Sequence, residues 1–230
     1  MISVSEARNL IEQHTPTGEM QLLPVRDSLG YVMFSSIPSP IDSPPFHQSA
    51  MDGYAFRFED LSRQTTFDLQ GIIQAGDTTS YTLEPGKCFR IFTGAPIPEG
   101  ADTVMMQEHC TTNGNSIRFN HPQPLAGEHI RPQGSQVQKG SAIGSSGQLL
   151  TPGIIGYLLT LAMSMVPVYR KPRIGVLVTG KELVQAGEVL GHGQIYESNG
   201  GMLAAALQEG RLAAHSVSYA DDDLDLTKNA

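Results

Sequence analysis

From Asp52 to about Gly140 the apolar residues come in short bursts, YAFRF, GIIQAG, CFRIFTG, TVMMQE and SIRFN, separated by Gly, Pro, Asn and Asp. None of the bursts is long enough for a packed helix, and their texture is that of short strands, so the segment reads as a β-rich module. Just before it stands SSIPSPIDSPPF, whose prolines exclude regular structure and leave a stiff extended connector. Earlier still, Ser3-Val4-Ser5-Glu6 fits a capping box, and Val4, Ala7, Leu10 and Ile11 fall on one helical face. A short helical or extended piece is expected from Leu22 to Phe34.

Beyond the module, LLTPGIIGYLLTLAM restarts a helix, with Thr151 as its cap and Pro152 in its first position. Ile154 to Val168 is expected to be a buried helix. Gly156, Thr160, Ser164 and Pro167 interrupt it, so it lacks the roughly 20 consecutive apolar residues of a membrane span. IGVLV, from Ile174 to Val178, is expected to be a strand buried on both faces, with TGKEL as the turn that follows. Asn199 then caps a helix that runs to about Glu209 and stops at Gly210, AAHSVSYA forms a second strand, and DDDLDLT starts another helix. This β-α-β order opens a doubly wound sheet. One crossover helix cannot cover both faces of such a sheet, so the last domain is expected to be truncated. The expected fold class is mixed multidomain α/β. Residues 1–45 and 141–170 form a helical or extended domain, residues 46–140 an inserted β-rich domain, and residues 171–230 the truncated α/β domain.

With 15 Lys and Arg against 23 Asp and Glu, the net charge is -8, and no dense basic run occurs. Binding to nucleic acid through a broad basic face is therefore not expected. An anion would have to be held by local amides, a few cations or a metal ion. Cys88 and Cys110 lack CxxC spacing, and the N-terminus has no signal pattern, so a reduced, cytoplasmic setting is expected. The seven histidines show no zinc-ligand spacing.

Four stretches carry possible chemistry. Asp52-Gly53 marks a tight turn with an exposed carboxylate. Thr93-Gly94 ends an apolar strand with a hydroxyl and a residue that lets ligands approach the backbone closely. Thr179-Gly180-Lys181-Glu182-Leu183 stands at the carboxyl end of a buried strand, where open α/β sheets bind ligands. Asp221-Asp222-Asp223 with Asp225 is an acidic run of the kind that helix N-termini favour.

SAMDGYA (Ser49–Ala55), RIFTGAPIPEGADTVMMQE (Arg90–Glu108), VLVTGKEL (Val176–Leu183) and GQIYESN (Gly193–Asn199) occur in one order and spacing. Together they closely resemble the molybdopterin molybdenumtransferase family, called MoeA in bacteria and found as the C-terminal domain of gephyrin. The resemblance implies the last step of molybdenum cofactor synthesis. In that step molybdate enters the dithiolene of adenylylated molybdopterin, AMP is released, and Mg²⁺ assists. It also implies a homodimer whose site lies between the β module of one subunit and the α/β domain of the other, supplied by an upstream molybdopterin adenylyltransferase.

On the matching positions, Asp52, Thr93 and Glu182 would be catalytic, with Asp52 and Glu182 as magnesium ligands. Ser49, Met51, Gly94, Thr179, Gly180, Asn199 and Asp221 would contact substrate. Thr93 and Gly94 would offer a hydroxyl and backbone amides to an oxyanion. The chain departs from the family pattern at Ser135, Gln136 and Lys181, which stand where carboxylates are usual; Glu197 and Ser198 are milder changes. Those losses should weaken magnesium binding or alter its geometry. Relatives also continue for well over a hundred residues. Weak or no turnover is therefore expected of residues 1–230 alone. The alternative function is a non-catalytic scaffold or dimerisation module of the same fold.

Overall fold

A computed structural model describes residues 2–120, 124–220 and 224–229. The chain is a mixed α/β protein with few helices. In chain order it forms α1 (Val4–His14), β1 (Met20–Pro24), β2 (Ile37–Pro38), β3 (Gln48–Ser49), β4 (Gly53–Phe56), β5 (Thr66–Ile73), β6 (Lys87–Ile91), β7 (Thr103–Met106), β8 (Cys110–Asn113) and β9 (Ser116–Phe119). It continues through β10 (Ile130–Arg131), β11 (Ala142–Ile143), α2 (Pro152–Thr160), β12 (Met165–Tyr169), β13 (Ile174–Thr179), β14 (Leu183–Val184), β15 (Ile195–Tyr196), α3 (Asn199–Glu209), β16 (Ala214–Ala220) and α4 (Leu224–Asn229). Two compact units result, one of residues 36–143 and 157–163, the other of residues 1–35, 144–156 and 164–230.

The first unit is organised by a six-stranded sheet in the order β7-β4-β6-β5-β9-β8. Its strands pair antiparallel except β5 and β6, which run parallel. Alternation along each strand sends successive side chains to opposite faces. Tyr54, Phe56, Phe67, Cys88, Met105, Ile117 and Phe119 form one cluster. Ala55, Ile73, Leu83, Phe89, Ile91, Ala95 and Val104 form the other. Both faces are covered, which is why all of β4 is buried. Phe67 and Phe119 stack at 4.6 Å, and Phe56 meets Phe119 edge-on at 4.9 Å, geometries that add to simple area burial. Burial pushes the Cys88 and Cys110 thiols up to about 12, so both stay protonated and serve as small apolar side chains.

In the second unit α1 has the expected capping box. Glu6 donates its N–H to Ser3 Oγ at 3.2 Å, and Glu6 Oε2 accepts the Ser3 N–H at 2.7 Å. The Ser3 N–H, and then the Ser3 side chain, hold the Glu6 carboxyl below its ordinary value. A depressed folded-state pKa contributes above the ordinary carboxyl pKa and is lost as pH falls through the folded-state value. The α1 backbone chemical shifts should therefore stay helical from neutral pH into the carboxyl range and relax toward coil only below it. Glu6→Gln should make them insensitive to pH over that window. Equal pH dependence in the two proteins would show that the cap contributes nothing.

The stretch from Ile154 to Val168 is not one buried helix. α2 ends at Thr160, Ala162 adopts φ +59°, and the chain leaves as β12, which pairs antiparallel with β1. Only Leu158 of α2 is buried. Pro167 bars a helix from continuing through this stretch, because it would remove a backbone bond and clash with the carbonyl four residues earlier. It does not account for the stop at Thr160, which lies further back. The connector before the module is mostly irregular but contributes β2, paired with β11.

β13 and β16 run parallel with α3 between them in sequence, the expected β-α-β unit. β13 is not buried on both faces, however. Val176 and Val178 are 7% exposed while Leu177 is 40% exposed, because a single crossover helix covers a single face. Ser198, not Asn199, is the residue before α3, and it makes no side-chain cap. Glu197 Oε1 accepts the Gly200 N–H at 2.6 Å in its place. No helix among the described residues is long and apolar enough to cross a membrane.

Candidate functional site

Asp52 is not the corner of a hairpin. Residues 50–52 form a bend between β3 and β4, and Gly53 is already a strand residue, paired with Ile91 on β6 and Met106 on β7. Gly53 is glycine for want of room. A Cβ there would lie 1.9 Å from the Met105 carbonyl oxygen.

The second loop is built from Phe92 to Ala95. Ala95 donates its N–H to the Phe92 carbonyl at 2.9 Å, and Gly94 occupies the third position at φ +84°, as a type II turn requires. Ser49, fully buried, holds this turn. Its N–H donates to the Ala95 carbonyl at 3.0 Å, its carbonyl accepts the Gly94 N–H at 2.9 Å, and its Oγ donates to the Met51 carbonyl at 2.6 Å.

Across this frame Asp52 Oδ1 accepts two bonds from Thr93, from its N–H at 2.8 Å and its hydroxyl at 2.7 Å. The Asp52 carbonyl accepts the Gln107 N–H at 3.1 Å. The Thr93 N–H, and then its hydroxyl, hold the Asp52 carboxyl below its ordinary value, so it is ionised at neutral pH. Oδ2 takes no hydrogen bond among the described residues.

The Thr93 and Gly94 amides are thus already bonded within the protein, to Asp52 and to Ser49. They differ in this from free donors awaiting an oxyanion. What the loop shows to solvent is acceptors: Oδ2 of Asp52, the lone pairs of the exposed Thr93 hydroxyl and, nearby, the exposed Met51. Such a set fits a hydrated hard cation, which takes one or two carboxylates and keeps several waters. Among the described residues no three His, Cys, Asp or Glu side chains gather into a fuller metal cage.

Thr179, Gly180 and Glu182 come together separately, in the other unit, at the carboxyl end of β13. Gly180 has φ +141° and donates its N–H to the Ala220 carbonyl at 3.2 Å. The Glu182 carboxylate stands over it, both oxygens 3.0 Å from where a Gly180 Cβ would be. Lys181 is exposed beside it, and Asn199 is the first residue of α3. Asp221 lies outside the described residues. Ser135 and Gln136 sit in a polar turn, where Gln136 donates its N–H to the Ser43 carbonyl at 2.9 Å and accepts the Ser43 hydroxyl at 3.2 Å.

Two residues that the sequence reading did not assign, Arg90 and Gln107, touch the Asp52 loop directly. A cation between the buried Phe89 and Ile91 was the visible signal for Arg90. Nothing local marked Gln107.

A β-rich unit presenting an ionised carboxylate at paired loops, together with a unit that contains a β-α-β motif, makes this a mixed α/β protein of two compact units. Residues 2–162 match the MoeA N-terminal region (domain I and II), and the chain belongs to that family. It is 34% identical over 229 residues to molybdopterin molybdenumtransferase 2 of Mycobacterium tuberculosis, covering 97% of this chain and 56% of that protein. It is 36% identical over 200 residues to the molybdopterin molybdenumtransferase of Haemophilus influenzae, covering 86% and 50%. The crystal structure of the molybdopterin biosynthesis MoeA protein from Pyrococcus horikoshii OT3 superposes with TM-score 0.86 at 28% identity, over 100% of this chain and 62% of that one. The chain thus spans about half the length of the curated relatives it matches.

Proposed function

We propose that the natural polypeptide carrying this sequence inserts molybdate into adenylylated molybdopterin and releases AMP, with Mg²⁺ as its cofactor. The names of the relatives support a role in molybdenum cofactor biosynthesis. The observation that carries the finer reading is the ionised Asp52 with its open Oδ2, held by Thr93.

The substrate's phosphoric anhydride and molybdate are both anions, and this chain carries a net charge of -8. A bridging cation is therefore needed where carboxylates face them. Asp52 of one subunit and Glu182 of the partner subunit in a homodimer would hold it, with Thr93 fixing which Asp52 oxygen points outward. Mg²⁺, when bound, supplies Lewis-acid polarisation of the anhydride and a template for it. Ser49 keeps the Thr93–Gly94 turn in register, and Thr179, Gly180, Asn199 and Asp221 would line the pterin side. A homodimer, the upstream adenylyltransferase as supplier, a cytoplasmic setting and the three-domain division all belong to the same reading.

The test is AMP release from adenylylated molybdopterin. Release should need both molybdate and Mg²⁺ and should be suppressed by chelation. A polypeptide that dimerises but releases no AMP under those conditions would be the scaffold of the alternative reading.

A further inference from the structure

We infer that Arg90 is the positioning residue of the Asp52–Thr93 pair, acting through a guanidinium fork on the backbone that flanks both partners. The inference rests on the proposed function only in taking Asp52 as the working carboxylate. Arg90 lies in β6 opposite Tyr54 of β4. Its Nη1 donates to the Gly53 carbonyl and to the Ile91 carbonyl, each at 2.8 Å. Gly53 directly follows Asp52, and Ile91 precedes Thr93 by two residues. The fork therefore ties together the same two segments that the Asp52–Thr93 bonds join, one strand end inward.

A third anchor closes the circuit. Arg90 Nη2 donates to Gln107 Oε1 at 2.5 Å, and the Gln107 N–H in turn donates to the Asp52 carbonyl at 3.1 Å. The guanidinium carbon lies 4.5 Å from the Phe92 ring centroid and 5.4 Å from that of Tyr54, so the cation is held against aromatic faces as well as by acceptors. With both Nη1 hydrogens on backbone carbonyls and one Nη2 hydrogen on Gln107, three of the five guanidinium donors serve the protein's own acceptors. Its charge also helps to keep Asp52 ionised, although less than the Thr93 bonds do.

Lysine cannot replace this. An ammonium is a point charge without the planar fork that reaches two carbonyls and an amide while lying along an aromatic ring. Arg90→Lys should therefore behave like Arg90→Met, not like the unaltered protein.

The experiment is amide hydrogen exchange, read residue by residue in the unaltered protein and in Arg90→Met, Arg90→Lys and Arg90→Ala. In Arg90→Met and Arg90→Lys the Thr93 and Gln107 amides should exchange at least about tenfold faster, as local opening becomes easier. The Leu69 and Phe119 amides, bonded to Asn115 and Thr65 elsewhere in the sheet, should keep their protection. Added guanidinium should restore protection at Thr93 in Arg90→Ala. In the AMP-release assay kcat should fall with little change in KM.

Unchanged exchange at Thr93 would overturn the inference. So would loss of protection at Leu69 and Phe119 as well, which would make Arg90 a general structural residue. A raised KM with normal exchange would make it a substrate contact instead, and would overturn it too. Loosened Thr93 in Arg90→Met together with full activity in an Asp52 variant would leave the positioning role standing and remove the proposed function.

Discussion

Replacing Asp52 with Asn is expected to leave the fold in place and to lower molybdate-dependent AMP release by about 10³-fold, the scale of losing one metal-holding carboxylate. Asparagine is nearly the same shape, and its Oδ1 can still accept the Thr93 N–H and hydroxyl. The bend between β3 and β4 should therefore survive, and the thermal midpoint should stay within a few degrees. What disappears is the charge and the second acceptor. Oδ2 becomes an NH₂, a donor pointing where a hydrated cation must sit. Binding of Mn²⁺, followed by its magnetic resonance signal as a probe for Mg²⁺, should weaken in parallel with the rate. Turnover and Mn²⁺ affinity that both match the unaltered protein would end the assignment of Asp52.

The positions of the Asp52 partners show where sequence reading gives out. The strands Gly53–Phe56, Lys87–Ile91, Thr103–Met106 and Ser116–Phe119 fall on the bursts visible in the sequence, because Gly, Pro and Asn mark their ends and alternation marks their faces. Their lateral order does not follow from those signals. β5 running parallel to β6 is a matter of long-range pairing, which local propensity does not encode. The same limit applies at the site. Asp52 and Thr93 are 41 residues apart, and only the resemblance linked their loops in advance; that Thr93 turns both its donors on Asp52 could not be read from either loop.

Where the sequence misled, a local signal was real but ambiguous. IGVLV is equally apolar whether one face or two are covered, and the number of helices available decided the matter. Ile154 to Val168 keeps its hydrophobicity through a change from helix to strand, since periodicity in short apolar runs does not separate the two. Arg90 was a conflict in plain view, a cation amid buried strand residues. Such conflicts tend to mark functional positions, but two of its three acceptors, the Gly53 carbonyl and Gln107 Oε1, lie far away in sequence.

The Asp-Gly pair was the most instructive of these ambiguities, and it leads to the largest stability effect. Glycine after aspartate suggests a backbone needing positive φ, yet Gly53 is an ordinary strand residue. Its requirement is space. The nearest atoms to an added Cβ would be the Met105 carbonyl oxygen at 1.9 Å, the Met105 carbonyl carbon at 2.8 Å and the Met106 Cα at 3.2 Å. All are backbone atoms of β7, whose Met105 is packed at 2% exposure, so no flexible side chain can swing aside.

Gly53→Ala is therefore expected to destabilise by about 4 kcal/mol, at the severe end for a single substitution and comparable with the total stability of many domains. Gly94→Ala provides the contrast. Its φ of +84° disfavours alanine, but the nearest atom to the new methyl lies 4.0 Å away, so the cost should be only about 1–2 kcal/mol, the left-handed backbone penalty. Urea titrations of the two variants read the difference directly. Equal midpoints would mean that β4 and β7 can separate enough to admit a methyl group. The close strand approach that places Asp52 beside Gln107 would then not be a fixed feature of the fold.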